Sequence, residues 1–360
     1  MIEQLTITTT PKYNFLQPTI DTSLPQRFIE LSINSLKHVQ DQPFQLNQQF
    51  FQQNNNLQQQ MHITQIGLPP TPLVPRMEET AVAAVDTSNI TIGETCKGIV
   101  IAVRGASIQK QKRRYRYLRV GPFIFHITEE NKKEVYNALQ RAHFISSHEH
   151  NHNGSPSLLQ MPTRVASLLE RWLQTVLSKT TSNGLVLFDG SLTSGIADTS
   201  TQRMKETLNN ARKRGNVVLA FSKMTNLRFN GYLITDALRG YKPPCILEIA
   251  GLKPKPPVVL LGDVYLVKLT KGNYAFRLDI DKEISEGQKI EAVEKLLGND
   301  LFSQSYPETL RLAHIFCTFT ANEVIAMQHF IARKYDLKII NRPNMHRLLF
   351  GPFGKGEHYS

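Results

Sequence analysis

The stretch GLVLFDGSL, residues 184–192, decides the fold that this sequence predicts. Its apolar run is typical of a strand that is buried on both faces, in a sheet covered by helices. Asp189 ends the run and brings a carboxylate to the edge of the core. A buried carboxylate is costly unless a positive partner meets it. Asp189 therefore indicates a cation or a basic group nearby.

Strands and helices are predicted on both sides of this stretch from apolar periodicity. Three antiparallel strands are predicted first: AVAAVDTS (81–88), KGIVIAVRGA (97–106) and RRYRYLRVGPFIFHI (113–127), the last as two strands or one strand bent at Gly121-Pro122. Helices are predicted at 129–142, 161–179 and 201–215, and a further apolar strand is NVVLAFS (216–222). The order of three strands, helix, strand, helix, strand predicts an α/β protein with a ribonuclease H-like mixed sheet flanked by helices.

Composition limits the class of protein. The 360 residues carry a formal net charge of +12, which favours a polyanionic partner such as nucleic acid. No run approaches the roughly 20 apolar residues that cross a bilayer, and the N-terminus lacks the pattern of a secretory signal. We therefore expect a cytoplasmic protein. The cysteines Cys96, Cys245 and Cys317 form no CxxC pair and are predicted to be reduced packing residues.

The chain divides into an extension and a larger domain. Residues 1–79 include the glutamine-rich run at 45–60 and the proline-rich linker PPTPLVP (69–75), so we predict a partly disordered extension. One amphipathic helix is predicted within it, at 24–39. Residues 80–360 are predicted to form the domain, with a region of strands and a helix inserted at about 232–301.

Two aspartates follow strands that are expected to be neighbours. Asp86 is predicted to end the first strand and Asp189 to end the fourth. Carboxylates held close together resist joint ionisation unless a cation lies between them. Oxygen ligands of this kind suit a divalent metal. The alternative is that each aspartate is an ordinary helix cap or turn residue.

These residues resemble the NurA-type nuclease family over about residues 80–320. The family carries a DGS-like motif on the first strand, a helical glutamate, a second DGS motif, and a late tyrosine and histidine. The matching residues here are Asp86-Thr87-Ser88, Glu170, Asp189-Gly190-Ser191-Leu192, Tyr306 and His314, and Lys223 matches a strand-end lysine. Thr87 stands where the family usually has glycine, and it could narrow the approach of a phosphate.

The resemblance implies a metal-dependent DNA nuclease. Asp86, Glu170 and Asp189 would hold Mn²⁺, or Mg²⁺ because oxygen ligands suit both ions. Lys223 would neutralise charge or hold the attacking water, while Tyr306 and His314 would position the strand or the water. The family further implies 5′-to-3′ exonuclease and single-strand endonuclease activity in DNA end resection, a homodimer, and a HerA-type hexameric ATPase as partner.

Each of these residues has an ordinary structural alternative. Glu170 would be a solvated glutamate paired with a neighbouring arginine, and Lys223 a solvated loop lysine. His314 would be a core histidine on a helix that opens at Tyr306-Pro307, with Ser305 and Glu308 at the spacing of a capping box. Two other functions also stay open: an inactive DNA-binding subunit, and a ribonuclease H-like enzyme acting on RNA or branched DNA.

A basic segment with interleaved tyrosines is the predicted nucleic-acid contact. Its residues are Arg113, Arg114, Tyr115, Arg116 and Tyr117. Such a pattern suits contacts with the backbone and bases of single strands. The alternative is a charged sheet edge that prevents aggregation. Three alternating histidines at 148–152 lie in a predicted loop and are assigned no role.

Overall fold

A computed structural model describes residues 2–7, 23–37, 61–62, 69–143, 156–195, 199–229, 232–272 and 274–340. The glutamine-rich run at 45–60 and the alternating histidines at 148–152 lie outside these residues.

Seven α-helices and two 3₁₀ helices occur in the described residues. The α-helices are α1 (Ser23–Lys37), α2 (Lys132–His143), α3 (Met161–Thr180), α4 (Thr201–Lys213), α5 (Glu286–Asn299), α6 (Glu308–Cys317) and α7 (Ala321–Tyr335). The 3₁₀ helices are Leu158–Gln160 and Ile234–Leu238. The four helices predicted at 24–39, 129–142, 161–179 and 201–215 are α1 to α4.

Eighteen strands occur in the same part of the chain. They are β1 (Ile2–Ile7), β2 (Met61–His62), β3 (Thr71–Pro72), β4 (Ala81–Glu94), β5 (Gly98–Gln111), β6 (Arg114–Thr128), β7 (Gly184–Asp189), β8 (Thr193–Ser194), β9 (Val217–Ser222), β10 (Arg228–Phe229), β11 (Tyr232–Leu233), β12 (Cys245–Glu248), β13 (Lys253–Pro254), β14 (Val259–Leu260), β15 (Gly262–Lys268), β16 (Phe276–Asp281), β17 (Phe302–Ser303) and β18 (Tyr306–Pro307). The segment at 113–127 forms one long strand, β6.

Ten strands form one mixed sheet in the order β1-β6-β5-β4-β7-β9-β16-β15-β12-β3. Strands β4, β5 and β6 are antiparallel, as predicted. Strands β7 and β9 are added in parallel, each after a helical crossover. The order of three antiparallel strands followed by two parallel strands agrees with the prediction, and the α/β class with helices flanking a mixed sheet is confirmed.

The sheet is covered by helices on both faces, so its central strands are buried. On one face, α1 to α4 pack over side chains such as Val85, Val186 and Phe188. On the other face, α5 and α6 pack over Ala84 and Leu187. Burial on both faces explains why residues 184–188 are uniformly apolar.

Parts of the N-terminal extension belong to this sheet and its core. Strand β1 pairs in parallel with β6, from Ile2 opposite Tyr115 to Ile7 opposite Val120. Helix α1 places Phe28 in the core, where its ring lies 5.0 Å from that of Phe123. The predicted amphipathic helix is therefore a packed element of the domain.

The region at 232–301 extends the main sheet. Strand β16 pairs antiparallel with β9, and β15 and β12 follow it in the sheet. Helix α5 covers these strands through Ala292, Val293 and Leu296. Among the described helices, none combines the length and hydropathy needed to cross a membrane.

A buried histidine links α1 to the sheet and makes stability depend on pH. His126 is 0% exposed, its Nε2 lies 2.9 Å from Thr95 Oγ1, and its backbone N–H donates to Ser35 Oγ. Burial lowers the pKa of His126 to about 4. The unfolded chain takes up this proton near pH 6.5. Stability contributed by neutral His126 is therefore present above about pH 6.5 and is lost as the pH falls towards 4.

We expect His126 to account for a loss of about 3 kcal/mol in the free energy of unfolding between pH 7 and pH 4, since one pKa unit corresponds to about 1.4 kcal/mol. Urea denaturation followed by circular dichroism measures this. His126→Asn should flatten the pH dependence, and His329→Asn at an exposed position is the matched control. Equal pH dependence in wild type and His126→Asn would contradict the assignment.

Candidate functional site

Asp86 and Asp189 lie side by side on neighbouring parallel strands. The pairing of β4 with β7 runs from Ala81 opposite Gly184 to Val85 opposite Phe188. Asp86 comes directly after Val85 and Asp189 directly after Phe188, so the two carboxylates lie on the same face of the sheet. Asp189 is the last residue of β7, as predicted.

The prediction that Asp86 ends its strand is wrong. Strand β4 continues to Glu94, because residues beyond Asp86 pair with β5, including Thr87 with Gly105 and Asn89 with Val103. Strand β7, which pairs with the other side of β4, ends at this level of the sheet. Asp86 therefore lies in the middle of β4 but beside the end of β7, and its carboxylate still lies next to that of Asp189.

Thr87, which replaces the usual glycine, does not face the carboxylates. Its hydroxyl lies 3.4 Å from the carbonyl oxygen of Ala166 in α3, on the opposite face of the sheet from Asp86. Its backbone N–H donates to Asp86 Oδ1 at 2.7 Å. The threonine side chain therefore leaves the approach to Asp86 open, and its backbone orients that carboxylate.

Gly190 gives the loop after Asp189 its conformation. Its φ is 104°, a region that other residues rarely adopt. Its N–H donates to the carbonyl of Phe221, and its own carbonyl accepts a hydrogen bond from Ser222 Oγ at 2.8 Å. A Cβ at Gly190 would meet no atom within 4 Å, so the space beside Asp189 is open.

Lys223 joins the two aspartates. Its Nζ lies 2.7 Å from Asp189 Oδ2 and 3.7 Å from Asp86 Oδ2. Burial lowers the pKa of Lys223, but the charges of Asp189 and Asp86 outweigh burial and raise it. The lysine is therefore a charged member of the site whose side chain is 37% exposed, and its contacts with both aspartates contradict the alternative of an unpaired loop lysine.

Tyr306, in β18, and His314, in α6, contact the same two aspartates. The hydroxyl of Tyr306 lies 3.4 Å from Asp189 Oδ1, and His314 Nδ1 lies 2.8 Å from Asp86 Oδ2. Burial raises the pKa of Tyr306 far above its usual range, and the two carboxylates add to this. Tyr306 is thus a neutral hydrogen-bond donor. His314 is 51% exposed, so it is not a core histidine.

The predicted capping box at the start of this helix is wrong. Tyr306 and Pro307 belong to β18, and α6 begins at Glu308. Ser305 has a φ of 68° and its hydroxyl lies 2.7 Å from that of Thr270. Asp300 caps the helix instead, because it accepts hydrogen bonds from the backbone N–H and hydroxyl of Thr309.

Glu170 approaches the aspartates from α3, on the other side of the sheet. Burial raises the pKa of Glu170 to about 7. The charges of Asp86 and Asp189 contribute to this rise, whereas Arg171 and Lys223 oppose it. Glu170 Oε1 accepts a hydrogen bond from Gln174 Nε2 at 3.0 Å. Glu170 is therefore half-buried and coupled to both aspartates by charge.

Asp86 and Asp189 bring carboxylate oxygens together beside the open loop, and Glu170 is coupled to both by charge. Burial raises the pKa of Asp189, and Asp86 adds to it while Lys223 opposes. The charge of Asp86 therefore disfavours the ionisation of both Glu170 and Asp189. Carboxylate oxygens are ligands that suit Mg²⁺ and Mn²⁺. A cation held by Asp86, Glu170 and Asp189 would relieve this repulsion.

The basic segment has one packed face and one exposed face. Tyr117 packs on Phe316 with ring centroids 4.4 Å apart, and Lys110 Nζ lies 5.7 Å from the centroid of Tyr115. Both tyrosines pack against the core. Because β1 pairs with β6, this strand is not an edge of the sheet, and the edge alternative is wrong.

The arginines of this segment line an open groove. The groove has a volume of about 670 Å³ and is lined by Gln109, Gln111, Lys112, Arg113, Arg114 and Arg116. Arg114 and Arg116 are exposed. The surface thus offers cationic side chains, while the two tyrosine rings are engaged in packing.

A buried ion pair that sequence reasoning missed supports the loop after Asp189. Arg277 donates to both oxygens of Asp279, at 2.6 and 2.7 Å. Asp279 Oδ2 also accepts a hydrogen bond from the backbone N–H of Leu192 at 3.0 Å. Their signal in the sequence is the alternation of charged and apolar residues in FRLDID, which places Arg277 and Asp279 on one face of β16.

Comparison with known families agrees with this geometry. Residues 80–228 match the family model of the NurA domain. The matched residues are a NurA domain. The matched residues include Asp86, Glu170, Asp189 and Lys223, whereas Tyr306 and His314 lie beyond them. The predicted family is confirmed, and no curated protein matches the chain.

Solved structures give weaker likenesses. The NurA nuclease from Sulfolobus solfataricus has 16% identity, with 86% of this chain and 94% of that chain covered and a TM-score of 0.47. Another NurA structure has 10% identity, coverage of 74% and 91%, and a TM-score of 0.42. Endonuclease V from Bacillus subtilis has 12% identity, coverage of 74% and 88%, and a TM-score of 0.31. The family assignment rests on the NurA domain match.

Proposed function

We propose that this NurA-family protein is a metal-dependent DNA nuclease. The observation that carries the proposal is the meeting of Asp86 and Asp189 on adjacent parallel strands, with Lys223 between them. Five further features of the site would be unusual for ordinary turn residues: buried and half-buried carboxylates, an elevated glutamate pKa, a neutral tyrosine, a part-exposed histidine and open space beside the loop. Together they suit the hydrolysis of a phosphodiester.

Asp86, Glu170 and Asp189 would hold the divalent ion, Mn²⁺ or Mg²⁺. Such an ion polarises a phosphoryl oxygen and lowers the pKa of water. The protein keeps the carboxylates in place through its own contacts. Thr87 N–H orients Asp86, Gln174 orients Glu170, and Tyr306 and Lys223 contact Asp189.

Three side chains would act on the DNA strand or on water. Lys223 brings a positive charge next to Asp189, where it can neutralise charge that develops on a phosphate. Tyr306 stays protonated at neutral pH and can donate a hydrogen bond. His314 holds Asp86 through Nδ1 and has a half-exposed ring that can orient a strand or a water molecule.

The groove at Gln109–Arg116 would contact the DNA backbone. Arg113, Arg114 and Arg116 supply the charge, and binding to phosphates of this kind weakens steeply with salt. Tyr115 and Tyr117, predicted to stack on bases, would contribute instead by stiffening the strand, because their rings pack inward.

Finer properties are proposed on the family resemblance alone. They are 5′-to-3′ exonuclease and single-strand endonuclease activity in DNA end resection, a homodimer, and a HerA-type hexameric ATPase as partner. The direction of digestion can be read from substrates labelled at either end. Sedimentation and co-purification with a HerA-type ATPase test the assembly.

The decisive experiment incubates the full chain with labelled single-stranded DNA, duplex DNA and RNA, in Mn²⁺, in Mg²⁺ or in EDTA. We expect cleavage of DNA with metal and none in EDTA. In EDTA, binding of single-stranded DNA should persist and should weaken as salt rises, since the arginine groove is independent of the metal.

Two outcomes would overturn the proposal. Binding of DNA without cleavage under every metal condition would identify an inactive DNA-binding subunit. Cleavage confined to RNA or branched DNA would identify a ribonuclease H-like enzyme.

A further inference from the structure

A second set of metal-ligand atoms overlaps the carboxylate site. Asp86, His314 and Cys317 each offer one ligand atom, and these atoms all lie within 4.8 Å of one another. Within the described residues, Glu170 and Asp189 do not join this set. The set combines oxygen, nitrogen and sulfur donors, unlike the all-carboxylate set of the proposed nuclease.

The donors are placed by one helix and one strand. His314 and Cys317 are three residues apart in α6, so they project from adjacent turns towards Asp86 on β4. His314 Nδ1 already contacts Asp86 Oδ2 at 2.8 Å. A tetrahedral ion with arms of about 2.0 to 2.3 Å separates its ligands by roughly 3.3 to 3.8 Å, so only small side-chain shifts are needed.

The thiol can be released from its present hydrogen bond. Cys317 Sγ donates to the carbonyl oxygen of His314 at 3.1 Å. That oxygen also accepts from the backbone N–H and the hydroxyl of Thr318, at 3.1 and 2.7 Å. The carbonyl therefore remains satisfied when the sulfur turns to a metal ion.

We propose that Asp86, His314 and Cys317 form an inhibitory site for a borderline-soft divalent ion such as Zn²⁺ or Co²⁺. The ion binds the carboxylate of Asp86, the Nδ1 lone pair of His314 and the thiolate of Cys317, with water in the fourth position. The thiol proton passes to solvent, the Nδ1 proton that His314 donates to Asp86 is replaced by one at Nε2 through exchange with solvent, and no electron is transferred. A thiolate and an imidazole favour such ions over Mg²⁺ or Mn²⁺.

Inhibition follows because Asp86 is shared. This part of the inference rests on the proposed nuclease function, since an ion held by Asp86, His314 and Cys317 removes Asp86 from the carboxylate set. It also removes His314 from the position in which it would orient a strand or water.

Co²⁺ titration of the full chain, without DNA or Mn²⁺, tests the site. We expect one equivalent of Co²⁺ to produce the thiolate-to-metal charge-transfer band in the near ultraviolet and the visible bands of tetrahedral cobalt, and Zn²⁺ to remove both. Cys317→Ala should lose the charge-transfer band and weaken Zn²⁺ binding at least about tenfold. Cys245→Ala, at another buried free cysteine, is the matched control and should behave as wild type.

A second arm measures inhibition of Mn²⁺-dependent cleavage by Zn²⁺. Cys317→Ala should keep its basal activity and require at least about tenfold more Zn²⁺ for the same inhibition. The absence of a charge-transfer band in wild type at saturating Co²⁺, or its persistence in folded Cys317→Ala, would overturn the proposal. The cobalt band is read without cleavage, so a protein that binds Co²⁺ but cuts no DNA would refute only the nuclease function.

Discussion

Asp189→Asn is expected to lower metal-dependent cleavage of single-stranded DNA at least about 1,000-fold. The change keeps the size of the side chain and leaves oxygen to accept from Lys223, but it removes a charged metal ligand. Loss of roughly 4 kcal/mol of transition-state stabilisation gives this factor, because each 1.4 kcal/mol is about tenfold in rate. Initial rates with excess Mn²⁺ and labelled DNA measure the effect.

The control for this variant is Asp236→Asn. Asp236 is an exposed aspartate in the 3₁₀ helix Ile234–Leu238, away from the site, and its substitution should leave the rate within about twofold of wild type. Binding of DNA by Asp189→Asn in EDTA should equal that of wild type or exceed it, since a negative charge near phosphate has been removed. Cleavage by folded Asp189→Asn at more than a tenth of the wild-type rate would remove Asp189 from the proposed metal set.

Asp279→Ala is expected to give the largest loss of stability, about 3 to 5 kcal/mol. The substitution leaves the buried guanidinium of Arg277 without its carboxylate, and an uncompensated buried charge is costly. It also removes the acceptor of the Leu192 N–H, so the loop that follows Asp189 loses its anchor. Equilibrium urea denaturation measures the change in the free energy of unfolding.

Two further variants separate charge from packing at this position. Glu206→Ala breaks the exposed pair with Arg203 and should cost less than about 1 kcal/mol. Arg277→Met combined with Asp279→Leu removes both charges and should restore at least half of the stability lost in Asp279→Ala. A loss below about 1 kcal/mol for Asp279→Ala would show that the buried pair is not what holds the loop.

Helices and buried strands were predictable because their signal is local. Helix α3 was predicted at 161–179 and spans Met161–Thr180, since one apolar face recurs at helical spacing throughout. Strand β7 was predictable from an uninterrupted apolar run. In both elements the local pattern of apolar residues is enough to identify the side chains that face the core.

The ends of some elements were not predictable, because they depend on partners distant in sequence. Strand β4 continues through the polar residues after Asp86 since β5 supplies the hydrogen bonds. Helix α6 begins at Glu308 because Asp300 accepts the hydrogen bonds of Thr309, and not at the residues whose spacing matched a capping box. A local pattern cannot show which distant group satisfies a backbone N–H.

The candidate site was predictable in its members and not in their contacts. The motifs around Asp86 and Asp189 named the carboxylates, and the family resemblance named Glu170, Lys223, Tyr306 and His314. Neither showed that Lys223 contacts both aspartates, nor that Gln174 holds Glu170. Apart from its spacing from His314, nothing in the sequence indicated that Cys317 lies at the site.

The sequence by itself determined which segments of the central sheet are buried and which acidic side chains reach the edge of the core. These properties follow from local hydrophobic periodicity, which decides burial one element at a time. The tertiary structure alone decided which charges meet. Asp86 and Lys223 are brought together by the register of β7 with β4 and with β9, and the packing of α6 on the sheet places His314 and Cys317 beside them. Register and packing depend on the free energy of contacts between distant segments, and no short stretch of sequence contains both partners of such a contact.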